Sequence, residues 1–168
     1  MNLIRANCEL LEQGVTLLSR HDDQTFVAGD PSSYGSGIGP HFRHVLDHYI
    51  SFINGLDCGF IDYDARKRNT KQEGSLSLTL NALEKVGSDL AALDVDIARS
   101  IKVKVSASTE GEDVHSSSSV GRELQFLVSH TVHHYALIAI ASRMLGIFPD
   151  EAFGVAPSTL KYLKSVGK

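Results

Sequence analysis

The chain has 168 residues, 42% of them hydrophobic and 21% charged, with a formal net charge of −4. This length and balance are typical of one globular domain, here residues 1–168. A negative net charge argues against non-specific nucleic-acid binding, which needs a basic surface. Two cysteines make no disulfide framework, and the sequence shows neither a signal peptide nor an apolar run long enough for a membrane, so we expect a cytoplasmic protein.

The first half of the chain is predicted to form two long helices and two loops. Apolar residues at helical spacing predict helices over 2–20 and 40–56, and Pro40 suits the first turn of the second. The segments that follow them, 21–37 and 57–74, lack this spacing and are rich in polar residues. They are therefore predicted to be loops.

The second half adds two long helices and a hairpin. Apolar spacing predicts helices over 75–93 and 119–146, and a short terminal helix over 158–165. Ile101–Val105 alternates as a strand does, and 113–116 suits the returning strand. Four long helices with one inserted hairpin predict an all-α fold, a four-helix bundle, whose metal and ligand sites lie between facing helices.

Six of the eight histidines lie in two short clusters on the second and fourth predicted helices: His41, His44, His48, His130, His133 and His134. His130 and His134 are four residues apart, so on a helix they share a face and can chelate one divalent metal. At about 100° per residue, His134 and His130 lie about 60° and 100° from the centre of the apolar stripe, and His133 about 160° away on the other side. The angles therefore select His130 and His134 as a pair.

The third ligand would come from the first cluster. His41, His44 and His48 share a face about 60° wide, which lies about 100° to 160° from the centre of the apolar stripe. His44 is the farthest from that centre, so periodicity alone favours His41 or His48. Spacing also leaves open that no metal binds, because a helical histidine is often a surface or hydrogen-bonded core residue.

Two segments resemble motifs of the DinB/YfiT-like family of four-helix-bundle metalloenzymes. Ser129–His134 is similar to the family's His-x-x-His-His motif, and Ile38–His48 to its second-helix segment. The resemblance covers most of the chain. It implies that the metal ligands are His44, His130 and His134, whereas periodicity keeps His41 and His48 as alternatives.

The resemblance also implies an activity. Characterised relatives use a divalent metal to activate a low-molecular-weight thiol, so we expect a divalent ion (Zn²⁺, Ni²⁺, Fe²⁺ or Mn²⁺), a small-molecule substrate and a thiol or water nucleophile, in an S-transferase or hydrolase type of reaction. A homodimer is expected from the resemblance alone. One departure is Tyr135-Ala136-Leu137, where family members often have Arg-Gly-Gln, and the hairpin is another.

Four side chains near the predicted mouth of the bundle are candidates for orienting an anionic substrate: Tyr63, Arg66, Arg68 and Arg122. Solvated loop and helix-start positions are the alternative interpretation for all of them. Two other functions stay open at this point. The protein could be a non-catalytic metal- or ligand-binding module, or a helical scaffold whose histidines are incidental.

Overall fold

The computed structural model of the protein describes residues 3–28, 37–65, 70–111 and 114–167. Its helices are α1 Leu3–Leu18, α2 Asp23–Val27, α3 Ile38–Leu56, α4 Thr70–Glu73, α5 Leu76–Ala91, α6 Val120–Met144 and α7 Pro157–Ser165. Its strands are β1 Phe60–Asp62, β2 Ser100–Lys104 and β3 His115–Ser119. None of the helices found in these ranges is both long and apolar enough to cross a membrane.

The long helices form where apolar side chains recur at helical spacing, and local caps set their ends. Ser75 and Ser119 precede α5 and α6, and their hydroxyls accept hydrogen bonds from backbone N–H groups of the first turn. Gly146 follows α6 with a φ of 78°, a conformation that ends helices and that glycine adopts without strain. Helix α1 packs against α5 and α6, and α3 packs against the same two helices. These faces bury the main core.

A mixed three-stranded sheet lies beside the helices, in the order β1-β2-β3. Strand β2 pairs antiparallel with β3, and β1 pairs parallel with β2 so that Ile61 lies opposite Val103. Ile61, Ile101 and Val103 are buried in the same core as the helices. The sheet is therefore an integral part of the fold.

The predicted all-α class, a four-helix bundle with an inserted hairpin, is therefore wrong. Strand β1 falls in the predicted loop 57–74, and its partner lies about forty residues further along the chain. Three residues are too few to show a period of two, so only the long-range pairing reveals this strand. Strand β3 consists of His115 and four serines, a composition with little apolar alternation, and its backbone pairing with β2 holds it.

Two short helices also occupy segments predicted as loops. Helix α2 begins at a capping box, in which the Asp22 carboxylate accepts from the Thr25 N–H and the Thr25 hydroxyl contacts Asp22 in return. Helix α4 is tied to α3, because Arg43 contacts Glu73 through Nε to Oε1 at 2.5 Å and also contacts Asp47 through Nη1 to Oδ2 at 2.8 Å. Such short elements depend on caps and ion pairs, which periodicity does not report.

Candidate metal centre

A chain of buried hydrogen bonds fixes α3 and α6 next to each other. The Thr131 hydroxyl of α6 contacts the Tyr49 hydroxyl of α3 at 3.2 Å. Tyr49 in turn donates to Oδ1 of Asn7 in α1 at 2.8 Å, and the Asn7 amide donates to the backbone carbonyl of Leu124. The side chains of Asn7, Tyr49 and Thr131 are all buried. A buried and satisfied network of this kind specifies one arrangement of the helices.

Helices α3 and α6 bring three histidines together. His44, His130 and His134 each offer one ring nitrogen, and these three atoms lie within 4.8 Å of one another. Nε2 of His44 is 3.1 Å from Nε2 of His130. Two nitrogens on one tetrahedral Zn²⁺, each about 2.05 Å from the ion, would be about 3.3 Å apart. The spacing of this pair therefore suits a shared metal ion.

His130 is kept in the uncharged state that a metal ligand needs. Burial is the main cause that lowers its pKa, and the neighbouring histidines His48, His134 and His44 lower it further, to about 2. No proton has to leave this ring before it binds a cation at neutral pH. Proton competition, which makes histidine sites weaken in acid, is therefore small at this position.

The two alternative ligands on α3 lie outside this group of three. Nδ1 of His48 lies 2.9 Å from the backbone carbonyl oxygen of His44. Because a carbonyl oxygen only accepts, Nδ1 of His48 carries a hydrogen and donates it to this bond. Its ring stacks on His130 with the centroids 3.9 Å apart. His41 places Nδ1 2.9 Å from Nδ1 of His134. The geometry therefore brings His44, and neither His41 nor His48, into the group with the α6 pair.

His133 also lies outside the group of three. Its ring is exposed and meets the edge of His134, with the centroids 5.0 Å apart. The helical angles predicted this separation from His130 and His134. His133 is therefore a suitable control residue for experiments on the neighbouring histidines.

Aromatic rings form a wall behind His130. Tyr63 stacks on the far side of His48, with the centroids 5.2 Å apart and the planes 20° apart. Phe126 contacts both Tyr63 and His130, at centroid distances of 5.2 and 5.6 Å. Tyr63 is buried and Phe126 is half-buried, so aromatic rings line this side of the site.

The hydroxyl of Tyr63 is committed to a buried carboxylate. Tyr63 is 1% exposed and donates to Oε2 of Glu123 at 3.0 Å, while the Ser118 hydroxyl donates to Oε1 of Glu123 at 2.5 Å. Burial and the Glu123 carboxylate both raise the pKa of Tyr63. In the sequence, Glu123 is marked by its position in the first turn of a helix, where a carboxylate is favourable.

The predicted substrate-binding side chains are only partly brought to the site. Tyr63 lies in the aromatic wall, beneath His48 rather than on an open surface. Arg122 is exposed at the start of α6, one residue before Glu123. Arg66 and Arg68 lie outside the described residues. The role of all four in binding a substrate stays a prediction.

Comparison with known proteins gives one similarity of limited extent. No family model matches the chain, and no solved structure matches it. FK506-binding protein 5 of Rhizopus delemar is 32% identical to it over 107 residues, which are 62% of this chain and 28% of that protein. The chain thus covers little more than a quarter of this curated relative, whose name describes the whole protein. Membership of the DinB/YfiT-like family stays a prediction.

Proposed function

We propose that this protein is a divalent-metal-dependent enzyme whose ion is bound by His44, His130 and His134. The observation that carries the proposal is the 3.1 Å approach of the His44 and His130 Nε2 atoms, with a nitrogen of His134 in the same group of three. Histidines 86 residues apart in the sequence meet here through two helices that buried hydrogen bonds fix in place. An arrangement built so rigidly favours a ligand set over an accidental cluster.

Three imidazoles suit Zn²⁺, Ni²⁺, Fe²⁺ or Mn²⁺, and they leave coordination positions open. A divalent ion held there would lower the pKa of a water or a low-molecular-weight thiol in an open position, which supplies a nucleophile near neutral pH. The resemblance to DinB/YfiT-like enzymes supports the thiol version, an S-transferase reaction on a small electrophile. Hydrolysis is the version in which water is the nucleophile.

The protein's own residues contribute positioning and an apolar surface. Burial keeps His130 neutral, and stacking on His48 holds its ring in place. The rings of Tyr63 and Phe126 line one side of the site with apolar surface. Of the three predicted substrate-binding arginines, Arg122 lies within the described residues. It is exposed near the start of α6, one turn before Phe126, and there it would attract an anionic substrate or thiol cofactor.

A non-catalytic metal-binding module is the second candidate, and one observation favours it. Among the described residues, the two buried carboxylates are both engaged: Glu123 accepts from two hydroxyls, and Asp47 is paired with Arg43. Neither is free to act as a general base. Turnover separates the candidates: an enzyme should convert model electrophiles with a thiol, or hydrolyse model esters, only when loaded with metal.

Metal titration tests the site itself. Untagged, metal-free wild-type protein should bind one Zn²⁺ or Co²⁺ per chain. His44→Ala should bind at least about 100-fold more weakly, because it loses a ligand and not merely an outer partner, whose loss costs about 10- to 100-fold. His133→Ala is the matched control and should bind like the wild type, since this exposed ring lies outside the group of three. Full occupancy in His44→Ala would contradict the ligand assignment.

A further inference from the structure

His41 and His134 face each other through the same atom of the ring. Their Nδ1 atoms are 2.9 Å apart, between α3 and α6, in a half-buried position. Two imidazoles in hydrogen-bond contact through these atoms can place only one hydrogen on the line that joins the nitrogens. One ring must therefore donate and the other accept.

The direction of this hydrogen bond determines whether His134 can bind a metal through Nε2. If His134 donates, its hydrogen is on Nδ1 and its Nε2 has a free lone pair. If His41 donates, the hydrogen of His134 is on Nε2, and that nitrogen cannot be a ligand. The contact with His41 engages Nδ1 of His134, so an ion held by the group of three would be bound through Nε2.

We infer that His41 is a positioning residue for the metal centre: its Nδ1 accepts a hydrogen bond from Nδ1 of His134 and thereby holds His134 in the tautomer that presents Nε2 to the ion. His41 then carries its own hydrogen on Nε2. This inference rests on the proposed metal site and removes His41 from the set of alternative ligands. Metal-bound histidines generally donate a hydrogen bond from the N–H of their second ring nitrogen to such a partner.

The surroundings of His130 show a different way of holding a ligand. Nδ1 of His130 is buried and has no hydrogen-bond partner among the described residues. Its ring is held by stacking, with His48 on one face. The ring of His134 meets four neighbouring histidine rings edge-on or tilted: His41, His44, His130 and His133. We therefore expect His134 to depend on its hydrogen bond for orientation more than His130 does.

Two substitutions at His41 distinguish the effect of its hydrogen-bond acceptor from the effect of its aromatic ring. His41→Asn keeps a polar acceptor close to the position of Nδ1, while His41→Phe keeps an aromatic ring without one. Titration with Zn²⁺ and Co²⁺ should show about 10- to 100-fold weaker binding for His41→Phe at one ion per chain, and binding within about 3-fold of wild type for His41→Asn. His133→Phe, a change of the same kind at the exposed neighbour of His134, should leave the affinity unchanged.

The Co²⁺ absorption spectrum distinguishes a positioning residue from a ligand. Its shape should be the same in wild type, His41→Phe and His41→Asn, because the three ligands are the same. A changed spectrum in both variants would make His41 a ligand, and unchanged affinity in His41→Phe would show that the hydrogen bond has no role; either result overturns the inference. Wild-type protein that binds no metal would overturn the proposed function itself.

Nitrogen-15 NMR of the Zn²⁺-loaded wild type gives a direct reading that needs no variant to fold. His134 should show a protonated Nδ1 and a metal-bound Nε2, and His41 should show an unprotonated Nδ1. A spectrum in which Zn²⁺ is bound through Nδ1 of His134 would contradict the inference while leaving the metal site in place. The two proposals can thus fail separately.

Discussion

Gly14→Ala tests how closely α1 must approach α6, the helix that carries two of the three candidate ligands. A Cβ at Gly14 would overlap the Tyr135 hydroxyl and lie 3.0 Å from Cε1 of Phe42. Tyr135 is fully buried and stacks on Phe153 with the centroids 4.4 Å apart and the planes 11° apart. Its ring has no room to move aside, so the added methyl group must push the helices apart.

Three contributions determine the expected changes in the free energy of unfolding. Overpacking of a dense core costs about 1–3 kcal/mol, and the better helix propensity of alanine returns up to about 1 kcal/mol. Gly14→Ala should therefore lower the free energy of unfolding by up to about 2 kcal/mol after this offset. The Tyr135 hydroxyl is buried and has no hydrogen-bond partner among the described residues, so Tyr135→Phe alone should raise the free energy of unfolding by about 1 kcal/mol. The double variant removes the overlapping atom and should recover most of the loss.

Urea unfolding followed by far-ultraviolet circular dichroism measures the free energy of unfolding of the wild type, the two single variants and the double variant. Gly87→Ala in α5 is the matched control, because the nearest atom to its Cβ is Cδ1 of Leu11 at 3.9 Å, an ordinary contact. It should stabilise the protein by up to about 1 kcal/mol through helix propensity. If Gly14→Ala stabilises equally, or if its effect and that of Tyr135→Phe add within about 0.5 kcal/mol, the proposed overlap is refuted.

Two further predictions concern other parts of the fold. Gly39→Ala should destabilise the protein by about 1–3 kcal/mol in the same urea assay, because its Cβ would overlap the Glu73 backbone carbonyl and α4 would have to leave α3; a stabilised variant would contradict this close approach. Burial lowers the pKa of His21 below its usual 6.5, so this residue contributes stability above pH 6.5 that is lost as the pH falls from 6.5 through the folded-state pKa. His21→Gln should flatten the pH dependence of the urea midpoint between about pH 7 and 5, and an unchanged slope would rule out this contribution.

The long helices could be predicted from the sequence because their signal is local. The apolar stripe of α6 predicted 119–146, and the observed helix is Val120–Met144. The end signals were local as well, namely a serine cap before α6 and Gly146 after it. Where one helix face packs against the core, a period of 3.6 residues is sufficient to find it.

The β2–β3 hairpin was predicted, with its returning strand at 113–116, but the addition of β1 could not be predicted because its pairing with β2 is long-range. Strand β1 has three residues, and β3 has four serines in succession, so neither shows the alternation that identifies a strand. Only the hairpin partner β2, with buried Ile101 and Val103 between lysines, had a readable pattern. A fold class that depends on the pairing of weak strands is decided by tertiary contacts.

The third histidine shows a different limit. Periodicity measured each residue against the centre of the apolar stripe of its own helix and so favoured His41 or His48. The site, however, lies between α3 and α6, whereas the stripe of α3 also covers its contacts with α5. The face toward one neighbouring helix is therefore displaced from the centre of the stripe. Resemblance to the family motif pointed to His44, the residue that the structure groups with His130 and His134.

Elemental analysis of untagged protein tests the central claim most directly. The protein would be purified without added chelator, analysed for Zn, Ni, Fe and Mn, and then stripped and titrated with each ion. We expect about one divalent ion per chain, bound by wild type and lost in His44→Ala. Protein that carries no stoichiometric metal and takes up none on titration would contradict it, and the histidines would then be part of a helical scaffold.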